Sequence, residues 1–202
     1  IVTLFFLAKI KDHTLFKHLK LTEKVDFQNI GKITYLGLPV ALQEGLFALV
    51  AMVLARIIAN WGPVPIAVQK VGAQIEAISW LTASGFSTAL AAFVGQNCGA
   101  KKWDRIAKGY KIAFGIMISI GIGATLLLYF GAGPIFSIFL PEKETLRQGI
   151  IYLRILSCAQ VFMCAEIITA GVFNGLGKTL PPAIVGIIFT VLRIPVALII
   201  SN

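Results

Sequence analysis

The sequence predicts an all-α fold: a polytopic transmembrane helix bundle of about five full spans, each sized to a bilayer, preceded by an N-terminal helix remnant. Composition is the first observation behind this. Hydrophobic residues make up 57% of the 202-residue chain and charged residues 13%, with a mean hydropathy of +0.87. A soluble domain carries about 25% charged residues, and so few charges do not cover a water-facing surface. The second observation is a series of apolar runs long enough to cross a bilayer. The third is that basic residues cluster at the flanks of those runs, as in the cytoplasmic loops of multi-pass proteins.

The elements follow in order. The opening IVTLFFLAKI, residues 1–10, is too short to span and lacks a signal-peptide layout. It reads as the end of a helix that starts upstream. The other end, ALIISN, stops in apolar sequence, so the chain is expected to be a piece of a longer protein. Residues 11–36 form a lysine-rich cytoplasmic linker, and residues 37–202 form the truncated bundle. The first full span covers residues 38–59, which at 1.5 Å per residue is roughly 33 Å of helix. Pro39 is placed at its N-terminus, where a missing N–H costs nothing. NWGPVP, residues 60–65, makes a turn. The second span covers 66–94 and is long enough to tilt. The third covers 110–130, with Lys111 at its edge. Pro134, Pro141, Glu142 and Glu144 mark a loop. The fourth covers 150–173 and ends at NGLGKTLPP, and the fifth begins near residue 183 and carries Arg193 and Pro195. Gly115, Ser119 and Gly123, and again Gly171 and Gly175, have the spacing that lets membrane helices approach closely.

The net charge of +9 does not indicate nucleic acid, because it is segregated. Lys9, Lys11, Lys17, Lys20, Lys24 and Lys32 lie in one segment, and Lys101, Lys102, Arg105, Lys108 and Lys111 in another. Basic loops alternate with poorer ones, which places residues 11–36 in the cytoplasm of a multi-pass protein of the cell (plasma or inner) membrane. Cys98, Cys158 and Cys164 show no metal-ligand or redox spacing and are assigned to packing. His13 and His18 have no catalytic partner.

Glu44, Glu76 and Glu166 fall inside spans. An ionised side chain at the bilayer centre costs at least about 2.5–3.5 kcal/mol, so such residues normally face a bundle interior or a wet cavity. Glu44 shares a helix side with Ala41, Ala48, Ala51 and Ala55. Glu76 shares one with Gly72, Ala73, Ser79, Ala83 and Ser87, and Glu166 lies near Ala159, Thr169 and Ala170. The bland reading is neutralisation by a base such as Arg56, Lys70, Arg154 or Arg193. The functional one is a cavity carboxylate that holds a cation or exchanges a proton for one. Gln43, Gln74, Ser79 and Thr169 are the candidate polar lining. No cofactor site is expected: GLGKT, residues 175–179, lacks the first glycine of a phosphate-binding loop, since Val172 stands there. GAGPIF and GIGATL fail the dinucleotide fingerprint.

At AAFVGQNCGAKKWDRI, residues 91–106, the chain resembles the multidrug and toxic compound extrusion (MATE) family through VGQNxGA followed by a basic loop. GLPVALQEGLF, QIEAISWL around Glu76, AGVFNGLGKT and LRIP extend the resemblance in order over nearly the whole chain. It implies a C-terminal lobe, running from the end of a sixth helix into an eleventh, whose partners are the bilayer, the N-terminal lobe and cationic amphipathic small molecules. It also implies an antiporter that exports organic cations in exchange for protons or sodium ions by alternating access. In the family, carboxylates on the seventh, eighth or tenth helix serve in cation binding, and Glu44, Glu76 and Glu166 stand on those three. The fourth span lacks the acid that some members carry one or two turns earlier; Cys158 and Met163 stand there. The alternatives are a flippase of lipid-linked sugar, which calls for an arginine-rich cavity, and a non-transport membrane protein. An enzyme is not expected, since neither histidine lies in a span.

Overall fold

The computed structural model describes residues 27–201, with side chains from 29 to 199. The helix remnant expected at 1–10 and most of the linker expected at 11–36 lie outside the described residues. Among these there are seven helices and no strand: α1 Phe27–Ala59, α2 Pro63–Gly99, α3 Trp103–Phe130, α4 Ala132–Phe139, α5 Lys143–Ser157, α6 Gln160–Gly175 and α7 Leu180–Ser201. Four are long and apolar enough to cross a membrane, and α5 with α6 makes a fifth if the bent pair counts as one span. The all-α membrane bundle is therefore what the sequence indicates.

Three elements differ from expectation. Pro39 lies inside α1 rather than at its start, because the helix begins upstream of the apolar run. The stretch expected to be a loop around Pro134 folds as α4, since proline fits the first turn of a helix, where its missing N–H is not needed. Phe136 of α4 is fully buried against Gly149 of α5, where any side chain would strike its ring.

The third difference is a bend of 47° that splits the fourth span between Ser157 and Gln160. No proline or glycine stands at the break. Thr125 of α3 donates its Oγ1 proton to the Ser157 carbonyl at 2.9 Å, and Ser157 Oγ donates to the Arg154 carbonyl at 2.7 Å. The backbone tightens to Cys158 N–Ile155 O and Ala159 N–Leu156 O bonds at 3.3 and 3.0 Å. A side chain from a neighbouring helix inserted into the ladder is a recognised cause of a kink.

Packing centres on α2, which makes its most extensive contact with α6, while α3 packs on both. Two apolar clusters result. One joins Ala83, Leu90, Val94, Ile106, Met117, Cys164 and Ile168. The other joins Val68, Ile75, Leu128, Ala132, Phe136 and Leu153. Close approach comes from Gly171, Gly175 and Gly121. The first two rest on Ser87 and Ala91, and a Cβ on Gly121 would lie 3.0 Å from the Val161 Cα. Gly115 and Gly123, expected to pack, have open space beside them. The α1 helix meets α7 where Gln43 covers Gly186 and where the Arg193 guanidinium lies 5.5 Å from the Phe47 ring centroid. Most large apolar side chains of α1 and α7 are exposed.

Candidate functional site

The two apolar clusters do not merge. Along α2 the change-over falls between Ile75 and Ala83, along α3 between Met117 and Leu128, and along the broken span between Leu153 and Cys164. A layer richer in polar groups fills the gap: Glu76 and Ser79 on α2, Thr125 on α3, and Ser157 and Gln160 at the break. Ser157 and Gln160 are fully buried, while Glu76 and Ser79 are half-buried. A break in a membrane helix releases backbone groups from the helical ladder, and such places are where transporters commonly build ion and substrate sites.

The groups that act electrostatically on Glu76 are the Arg193 guanidinium from α7 and the Gln160 amide from α6, and Glu76 in turn acts on the Tyr152 hydroxyl of α5. The carboxylate feels Arg193 electrostatically but forms an ion pair with no basic residue among the described residues. Tyr152 is held by Gly72, one turn before Glu76, which leaves room for the ring where a side chain would not. Gln160 Nε2 reaches the Leu156 carbonyl at 3.5 Å, the long limit of a hydrogen bond, and its Oε1 is buried with no partner.

Glu44 and Glu166 are exposed on this chain, as is Gln74. The alanine stripe beside Glu44 is also exposed, so within the described residues it packs against no helix. Gln74 borders an open hollow of 440 Å³ with Lys70, Val71, Ala73 and Phe139, which Glu76 does not line. Gln43 is half-buried against α7. Thr169 has its hydroxyl engaged twice, donating to the Ala165 carbonyl at 2.6 Å and meeting the Tyr110 hydroxyl at 3.1 Å. Of the candidate bases, Arg154 is stacked 5.6 Å from the Tyr129 centroid and Arg193 5.5 Å from the Phe47 centroid, while Arg56 and Lys70 are exposed. Cys164 belongs to the core, whereas Cys158 is exposed at the break rather than packed. Among the described residues no group of His, Cys, Asp and Glu could hold a metal ion.

Sequence reading missed Gln160, Thr125 and Tyr152. The polar run SCAQ, residues 157–160, in the middle of an otherwise apolar span was the available signal.

The MatE family model matches residues 39–199. A probable multidrug resistance protein NorM of Thermotoga maritima is 24% identical over 83% of this chain. A probable multidrug resistance protein YoeA of Bacillus subtilis is 26% identical over 89%. A FAD transporter of Shewanella oneidensis is 22% identical over 84%. The chain spans 36%, 39% and 38% of those relatives, little more than a third of their length. A solved MOP superfamily transporter from Pyrococcus furiosus, described as having a binding pocket of reverse polarity, superimposes with a TM-score of 0.78 at 14% identity, over 82% of this chain and 37% of that one.

Proposed function

This chain belongs to the MatE family, and on that premise we propose that it is the C-terminal lobe of a secondary antiporter that exports organic cations in exchange for protons or sodium ions. The observation that carries the reading is Glu76, a half-buried carboxylate with no ion-pair partner among the described residues, set in the polar layer where a span breaks. A carboxylate in that position attracts a cation through a medium of low dielectric, where charges interact far more strongly than in water. It discharges by binding either the substrate or the coupling ion, so the two compete for one site. Alternating access follows if the two lobes rock about that site. Glu44 and Glu166, exposed on this lobe, are assigned to the cavity wall shared with the other lobe. Gln74 and Ser79 are assigned to its polar lining.

The test is efflux of a cationic dye from proteoliposomes holding the full-length protein, under an imposed proton gradient and then an imposed sodium gradient. One gradient should drive efflux, and Glu76→Gln should abolish the dependence on it. Transport by Glu76→Gln at the parent rate with the same ion dependence removes Glu76 from the mechanism.

A second reading, transport of an anionic substrate, draws on the relative named a FAD transporter and on Arg193, which faces the Glu76 region. Uptake of a labelled dinucleotide in place of the dye, lost in Arg193→Gln, would favour it.

A further inference from the structure

We propose that one face of α3 binds an anionic phospholipid, with Arg105 and Lys108 on the phosphodiester and Ile112 and Ile116 along an acyl chain. The inference does not depend on which compound is transported. Lys101, Lys102, Arg105, Lys108 and Lys111 stand at the α2–α3 turn and in the first turns of α3, all exposed. Asp104 is the one acidic residue beside them. Among the described residues none of the five lies in an ion pair. The N–H groups of Lys101 and Lys102 close the turn on the Cys98 and Asn97 carbonyls, which holds the pair at the foot of α3. Leu176 packs on the same cluster as Cys98 and Ile106, so Lys178 of the α6–α7 turn adds its charge at this end of the bundle. Beyond the other end of α3 the charges are mixed: Lys143 and Arg147 alternate with Glu142 and Glu144.

A basic turn beside a membrane helix sets topology, but topology asks only that the charges lie on one side of the bilayer. Here they are also arranged on a face. Arg105, Lys108, Ile112 and Ile116 follow at intervals of three and four residues, so they share one side of the helix. All four are exposed. That side is basic first and apolar after, the order of a lipid headgroup and its chain. From Arg105 to Ile116 the helix rises about 16 Å, half the thickness of a typical hydrocarbon core. Gly115, between the two isoleucines, has open space beside it. Trp103, exposed at the start of α3, belongs to the residue types enriched at headgroup level.

Charge and shape together select the occupant. Guanidinium and ammonium groups make strong, charge-assisted hydrogen bonds to phosphate oxygens. Each basic residue close to an anionic membrane surface strengthens the attraction about fivefold. A free phosphate or a nucleic acid would engage the basic turns alone and leave the apolar strip uncovered. A phospholipid covers both.

The experiment uses the full-length, otherwise cysteine-free protein with Gly115→Cys carrying a bimane fluorophore. It is placed in phosphatidylcholine nanodiscs doped with acyl-brominated phosphatidylglycerol or acyl-brominated phosphatidylcholine, since bromine quenches at short range. Phosphatidylglycerol should quench at a mole fraction about five- to tenfold lower than phosphatidylcholine. Arg105→Gln with Lys108→Gln should bring the two lipids within about twofold, whereas the charge-keeping pair Arg105→Lys with Lys108→Arg should retain the preference. Lys111→Gln with Lys178→Gln removes as much charge away from the face and, in physiological salt, should change the preference by no more than about twofold. Equal quenching by both lipids in the parent overturns the proposal and leaves the basic turn as a topology signal. An equal loss of preference in the two glutamine pairs overturns it in favour of a diffuse field. Relief of quenching by soluble glycerophosphoglycerol overturns it in favour of a free-phosphate site. No quenching by either lipid overturns it by showing that another part of the protein covers the face.

Discussion

Gly171 of α6 lies against Ser87 of α2 so closely that a Cβ on the glycine would stand 2.5 Å from the serine Oγ and 2.8 Å from its carbonyl oxygen. The serine hydroxyl in turn donates to the Ile167 carbonyl at 2.8 Å, one turn earlier on α6. The two helices are thus pinned by contact and by a hydrogen bond at the same level. A side chain here meets backbone, which does not yield. Gly171→Ala should destabilise the protein by about 1–3 kcal/mol, the usual cost of overpacking. Gly115→Ala and Gly123→Ala, with open space beside them, should be neutral or stabilising by up to about 1 kcal/mol from helix propensity. Chemical unfolding in mixed detergent micelles separates the two classes.

These glycines also show what the sequence could disclose. Glycine spacing marked both pairs as packing sites, yet only Gly171 and Gly175 pack. The spacing gives the face of a helix, and the neighbour decides whether that face is covered. The number of spans, with the bent pair counted as one, and the turns at Gly62 and Gly177, with φ of 100° and 69°, were legible because apolar run length and glycine turns are local properties. The break in the fourth span was not, because its cause is Thr125, some thirty residues upstream, reaching a carbonyl of another helix. Glu76 was legible as a charge at membrane depth. Its setting with Gln160, Tyr152 and Arg193 depended on tertiary contacts that no local pattern encodes.

Lys101 follows the VGQNCGA helix end and has φ of 57°, in the left-handed region that favours glycine. Its N–H and that of Lys102 close the turn on the Cys98 and Asn97 carbonyls at 3.0 and 2.9 Å. Side chains in this region cost about 1–2 kcal/mol per residue. Lys101→Gly should therefore raise stability by about 0.5–1 kcal/mol, after allowing for the extra freedom glycine gives the unfolded chain. A thermal shift measured in detergent reads the change.

Tyr110 and Thr169 tie α3 to α6 through their hydroxyls at 3.1 Å. Thr169 keeps its own bond to Ala165, so its proton goes to that carbonyl and the tyrosine O–H donates to Oγ1. Tyr110→Phe removes the donor and should cost about 0.5–1.5 kcal/mol. Thr169→Val should cost a similar amount, and the double variant less than the sum. A double-mutant cycle isolates the pair, provided neither change forms a new contact. A coupling energy near zero would return Thr169 to the list of residues available to line a cavity.

Gln160 tests what an unpaired buried amide costs in this fold. Its buried Oε1 has no partner, and leaving a buried polar atom unpaired costs about 1–3 kcal/mol. Gln160→Leu replaces the amide with an apolar group of similar volume beside the cores around Leu153 and Cys164. It should leave stability unchanged or raise it by about 1 kcal/mol, with equilibrium unfolding in detergent as the measurement. A loss of several kcal/mol would mean that the amide oxygen is satisfied by a group such as an ordered water, which a leucine cannot hold.

Glu44 and Glu166 are exposed on this chain, and a charge facing acyl chains costs at least about 2.5–3.5 kcal/mol. Facing water in a cavity removes that penalty. Single cysteines placed at these two positions in the full-length, otherwise cysteine-free protein should react with a membrane-impermeant maleimide in intact membranes. Ile116 and Leu126 of α3, exposed apolar positions flanked by no charge on their helix side, provide the comparison and should label slowly if they face lipid. A cationic transport substrate should slow labelling at positions 44 and 166 without changing the rate at 116 or 126. Equal, slow labelling at all four would put both carboxylates against the acyl chains and leave Glu76 as the remaining acidic group available to the site.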